Sequence, residues 1–112
     1  MSFLSARRSA AGVAIALLLG LGGAQAAAPQ PVAIKIDNFT FSPADITVPV
    51  GTAVTWTNGD DIPHTVVAVD KSFRSKALDT GDSFTAALAK PGTFAYFCGL
   101  HPHMTGRITV TP

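Results

Sequence analysis

"PGTFAYFCGLHPHMTGRITV", residues 91–110, decides how this chain folds. The turn Lys90-Pro91-Gly92 opens it, Thr93 to Cys98 reads as one strand, and Gly106 to Thr111 reads as the last. Within the first strand Phe94, Tyr96 and Cys98 share a face and Phe97 takes the other. Gly99, Pro102 and Gly106 let the short connection turn back without Cβ clashes. That connection gathers the chain's only cysteine, two of its three histidines (His101 and His103) and Met104.

The same strand-and-turn grammar extends to the N-terminal side. Val32, Ile34 and Ile36 alternate with polar residues, and Phe39 and Phe41 continue that strand until Pro43 interrupts it. Ile46 and Val48 make another short piece, and Ala53 to Thr57 (AVTWT) suits a pleated surface and ends at the Asn58-Gly59 turn. After the loop Asp60-Asp61-Ile62-Pro63, His64 to Val69 reads as a strand, and so does Ser83 to Leu88. Residues Asp70 to Asp82 fit either a short helical turn or two irregular edge strands. Seven to eight short strands at this spacing predict an all-β fold, an antiparallel sandwich of Greek-key type in a single domain over residues 28–112. Trp56 and the phenylalanines at 39, 41, 84, 94 and 97 are expected as core or half-buried packing.

The first residues belong to a different grammar. Arg7 and Arg8 precede an apolar run from about Ala10 to Leu21, and Ala24-Gln25-Ala26 is a small-x-small cleavage pattern. Residues 1–26 are therefore expected to be a secretory signal peptide, cleaved near Ala26, that delivers the protein to the periplasm. The run is short for a membrane anchor, which needs about 20 apolar residues, so no membrane association is expected after cleavage. The Arg pair raises the twin-arginine route, but Ser9-Ala10-Ala11 matches that signal poorly and favours ordinary secretion.

Two of the eight basic residues leave with the leader, so six Lys or Arg face seven acids, all Asp, a formal charge of −1. With no basic run there is no electrostatic footprint for nucleic acid. Lys71, Arg74, Lys76 and Lys90 read as a solvated face. Small exported domains usually carry disulfides or a metal, yet Cys98 has no partner within the chain. A bound metal would occupy it.

Cys98, His101 and Met104 stand at C-x2-H-x2-M. A thiolate, an imidazole and a thioether together prefer copper, and a second imidazole would complete a trigonal set with a weak axial thioether. His64 is the candidate, because strand ends cluster at one pole of a sandwich. His103, wedged between Pro102 and Met104, is expected at the surface instead of on the same metal.

The stretches "IPHTV" at 62–66, "NFTFSPADITVPVGTAVTWTN" at 38–58 and "PGTFAYFCGLHPHMTGRITV" at 91–110 resemble the cupredoxins, the small blue copper proteins. The short ligand spacing is most similar to that of the amicyanins. The resemblance implies one copper ion per chain, with His64, Cys98 and His101 as equatorial ligands and Met104 as the axial one. It also implies a monomeric one-electron carrier cycling between Cu(II) and Cu(I). His101 would be the electron port, inside an apolar ring of Leu100, Pro102 and Pro63 for transient redox partners. Amine dehydrogenases and c-type cytochromes are the family precedents for such partners. Two positions depart from the pattern. Thr65 stands where an Asn usually tethers the ligand loop beside the metal, and Phe94 stands where a Tyr is common.

Two other functions compete with electron transfer. Storage or delivery of copper would use the same ligands but need exchangeable metal. An enzyme using Cys98 and a histidine as a nucleophile pair would leave Met104 without a role, and nothing in the sequence marks an oxyanion hole or substrate cleft; no enzymatic activity is expected.

Overall fold

Alternating burial along each strand builds two facing sheets in the computed structural model, which describes residues 28–112. The elements are β1 (Val32–Asp37), β2 (Thr40–Ser42), β3 (Asp45–Pro49), β4 (Thr52–Asn58), β5 (Val67–Ala68), β6 (Ser83–Leu88), β7 (Gly92–Cys98) and β8 (His101–Thr111). One sheet has the order β2-β1-β4-β6 and the other β3-β8-β7-β5. This is the all-β sandwich expected from the strand spacing. The proposed leader, residues 1–26, lies outside the described residues.

The pairing is mixed. β1 runs parallel to β4, and β3 runs parallel to β8, while the other ladders are antiparallel. The reason is topological. The chain leaves the first sheet after β2, places β3 in the second, and returns as β4 beside β1, and such a crossover is what parallel neighbours require.

Inward-facing Ile34, Ile36, Val54, Trp56, Tyr96, Ile108 and Val110 fill the space between the sheets. Trp56 sits at its centre, 5.5 Å from Phe73, 5.7 Å from Phe84 and edge-on to Tyr96 at 5.3 Å, and Phe41 packs against the far side of Tyr96 at 4.8 Å. Phe39 departs from the expected packing. A two-residue turn, Asn38-Phe39, reverses the chain between β1 and β2, so Phe39 belongs to no strand and is 46% exposed.

Three other boundaries differ from the strand pattern. β5 keeps only Val67–Ala68 of the expected His64–Val69 strand, because the edge bonds of that stretch go to the following segment. Ser75 and Val66 exchange bonds, as do His64 and Leu78, and Ala68 donates to Phe73. Residues 70–82 accordingly form irregular extended backbone with no helical turn. β8 starts at His101, five residues before the expected Gly106, so most of the ligand loop is itself strand. Lys71, Arg74, Lys76 and Lys90 are all exposed, as a solvated face requires.

Gly106 faces Tyr96 across the β7–β8 ladder, and a methyl group there would overlap the tyrosine ring and hydroxyl. The empty position lets the buried Tyr96 lie flat over the neighbouring strand, which locks the strand that ends in Cys98. Gly106→Ala should destabilise the protein by about 1–3 kcal/mol through overpacking. The urea midpoint would fall with an unchanged m-value; an unchanged midpoint would show that the ring gives way without cost.

Candidate metal centre

β7 ends at Cys98, whose side chain is fully buried. The chain reverses at Gly99-Leu100, and His101 returns as the ladder partner of Cys98, next to an irregularity between Phe97 and Cys98. The C-x2-H spacing thus sets the imidazole directly across from the thiol, with Nδ1 of His101 3.7 Å from Sγ. His64 arrives from the other side. Its backbone exchanges two hydrogen bonds with Leu78, at 3.1 and 2.7 Å, and its Nδ1 also lies 3.7 Å from Sγ. The candidate ligand atoms of His64, Cys98 and His101 all lie within 4.8 Å of one another.

Asp60 orients His64, a role that nothing in its local sequence marks beyond a loop position four residues upstream. Its Oδ2 lies 2.8 Å from Nε2 of His64. A carboxylate there holds the imidazole proton on Nε2 and leaves the Nδ1 lone pair facing the sulfur. The same carboxylate accepts the Phe39 amide at 2.9 Å and the Asn38 amide at 2.6 Å. The Phe39 amide, with His64 and the Asn38 amide, holds the Asp60 carboxyl below its ordinary value against the opposing pull of partial burial. Asp60 is braced in turn. Its amide donates to the side chain of buried Asn58, which donates to the carbonyls of Ile62 and Leu78, and Thr80 donates to the Asp60 carbonyl.

Thr65 ties the ligand turn to the same pole. Its hydroxyl accepts the Gly99 amide at 2.6 Å, and its own amide points at Sγ of Cys98 at 3.3 Å. A short hydroxyl can therefore bridge the two ligand segments where the family pattern places an amide side chain. Burial pushes the Cys98 thiol up, but the Thr65 amide, His101, His64 and the Leu100 amide outweigh it and bring the group from its ordinary 9.0 down to about 6. A buried thiol that ionises near neutrality is a ready metal ligand.

Met104 is buried in β8, three residues beyond His101, within the apolar cluster that also contains Cys98 and Tyr96. Leu100 is 52% exposed, Pro63 and Pro102 are exposed, His101 is half-buried between them, and His103 faces solvent. Two imidazoles and a thiolate, with a thioether on the adjoining strand, are a donor set suited to copper.

The chain is similar to known proteins along most of its length. The Cupredoxin-like domain family matches residues 10–110. Amicyanin-alpha of Methylorubrum extorquens is 32% identical over 82 residues, 69% of each chain. The chloroplastic plastocyanin of Tetradesmus obliquus is 34% identical over 116 residues, 90% of this chain and 78% of the plastocyanin. Among solved structures, the purple cupredoxin from Nitrosopumilus maritimus superposes with a TM-score of 0.68 at 35% identity, over 71% of this chain and 99% of that one.

The thiol shift has a definite pH consequence for the metal-free protein. The folded chain releases the Cys98 proton near 6 and the unfolded chain near 9, so between these values the unfolded state holds more protons. Stability should rise with pH across that window, and the gain should vanish as pH falls through 6. Urea titrations of metal-free wild type and Cys98→Ala at several pH values test this: the difference between them should grow from pH 6 to pH 9, and a flat difference would refute the ionised thiol.

Proposed function

This chain belongs to the family of cupredoxin-like domains, whose cofactor is copper, and from that premise we propose that it is an exported one-electron carrier. His64, Cys98 and His101 would hold one copper ion, with Met104 as a weaker fourth ligand. The observation that carries this assignment is the convergence of two Nδ1 atoms on one thiolate, each 3.7 Å from Sγ, at the end of a rigid sandwich.

Bound copper supplies the Cu(II)/Cu(I) couple; everything else is done by the chain. Cys98 presents a preformed thiolate. Asp60 fixes the tautomer and tilt of His64, and the Thr65–Gly99 bond fixes the turn that carries Cys98 and His101. Ligands held on the paired ends of β7 and β8 and on the bridged backbone of His64 move little when the charge at their centre changes, and this lowers the reorganisation cost of electron transfer. His101, half-buried beneath exposed Leu100, is the port through which the electron enters and leaves, and Pro63, Leu100 and Pro102 form the apolar rim. A rim of this size suits the brief, small-area docking of redox proteins. The working protein is the domain of residues 28–112, a periplasmic monomer without catalytic activity, released from a leader at residues 1–26.

The deciding measurement is the visible spectrum on adding Cu(II), before and after ascorbate. An intense thiolate-to-copper band that bleaches and recovers is expected. A colourless protein that exchanges copper freely would overturn electron transfer in favour of copper delivery. Leu100→Asp should keep that band while slowing transfer to a redox protein by about tenfold, as expected when a small interface loses its apolar anchor. Unchanged stopped-flow kinetics would remove Leu100 from the docking surface.

A further inference from the structure

The turn between β1 and β2 is built against its own backbone preference. Asp37 pairs with Thr40, leaving two turn residues, Asn38 and Phe39, with φ of 52° and 57°. Two successive left-handed residues make a type I′ turn, for which Asn suits the first position and glycine the second. A bulky side chain in the left-handed region is an outlier, and such strain persists only where the surroundings over-determine it. Here they do, because the Asp60 carboxylate accepts both turn amides.

The strained position places a ring over the centre. Phe39 lies edge-on to His64 at 5.4 Å and 86°, and edge-on to His101 at 5.1 Å and 89°; the two imidazoles are 5.0 Å apart. These are favourable aromatic geometries. The two imidazoles are otherwise held unequally. His64 has Asp60 on its outer nitrogen, whereas the hydrogen bonds among the described residues give the His101 ring only the Cys98 sulfur. The outer half of His101 is held by packing.

We propose that Phe39 is a positioning residue of the copper centre, an aromatic clamp that fixes the plane of His101 and is held in place by the carboxylate that orients His64. The inference rests on the ligand assignment made above. It explains why a phenylalanine occupies a turn position where glycine would be unstrained. The ring does not join the core; it packs against both imidazoles, and Phe39 stays 46% exposed.

The test uses Phe39→Gly, Phe39→Leu and Phe39→Tyr in the Cu(I)-loaded protein, which is diamagnetic and open to NMR. Phe39→Gly creates an Asn-Gly turn, the preferred type I′ sequence, so a folding defect is not expected and native amide dispersion checks that. Ring-proton relaxation should show His101 loosened in the Gly and Leu variants, with His64 unchanged. Release of copper to a chelator should be about tenfold faster in both, the lower end of the range for lost outer-shell support. Phe39→Tyr should stay within about twofold of wild type, because its ring keeps the edge contacts. Wild-type His101 order and copper release in Phe39→Gly or Phe39→Leu, equal loosening of both imidazoles, or failure of Phe39→Tyr to rescue would each overturn the clamp. A wild-type protein without the thiolate-to-copper band would instead remove the ligand assignment beneath it.

Discussion

A thiolate buried at the end of a β-sandwich must be surrounded by donors, because an unpaired charge in an apolar interior is prohibitively costly. Cys98 receives the Thr65 amide, and the Nδ1 atoms of His64 and His101 close around the sulfur where a shared cation would neutralise it. His64 and Thr65 lie more than thirty residues from Cys98, so the site exists only when the segment leading into β5 is docked beside β7. The arrangement of the pole follows from that need: the tight Gly99-Leu100 reversal, the extended backbone at His64 and the bonds that join them.

Support is arranged in layers. Behind His64 stands Asp60, behind Asp60 stands Asn58, and Asn58 also holds the Leu78 carbonyl, on the residue that pairs with the His64 backbone. The irregular segment 70–82 acquires a purpose in this light. It supplies Ser75 and Leu78 to the edge that carries the first histidine and Thr80 to the Asp60 loop.

Rigidity reaches the centre from the core as well. Tyr96, two residues before Cys98 on the same strand face, is wedged between Trp56, Phe41 and the bare backbone of Gly106. Packing at interior density resists small displacements, so the sulfur position is set by the aromatic core beneath it. Copper chemistry that requires unchanged ligand positions in two oxidation states is served by this construction.

The all-β class, the face shared by Tyr96 and Cys98, and the gathering of Cys98, His101 and Met104 were legible in the sequence, because they depend on strand periodicity and on ligands only a few residues apart. His64 could be nominated from its place at a strand start and from family resemblance. Asp60 and Phe39 could not be picked out. One looked like a loop acid and the other like a core aromatic, and nothing local distinguishes them from Asp61 or Phe41. Their roles arise where the β1–β2 turn meets the loop before His64, a contact across 21 residues made by a single carboxylate. Periodicity reports which face of a strand is buried; which loops meet at the end of a sandwich is decided only when the sheets pack, because that placement depends on side-chain bonds between distant segments.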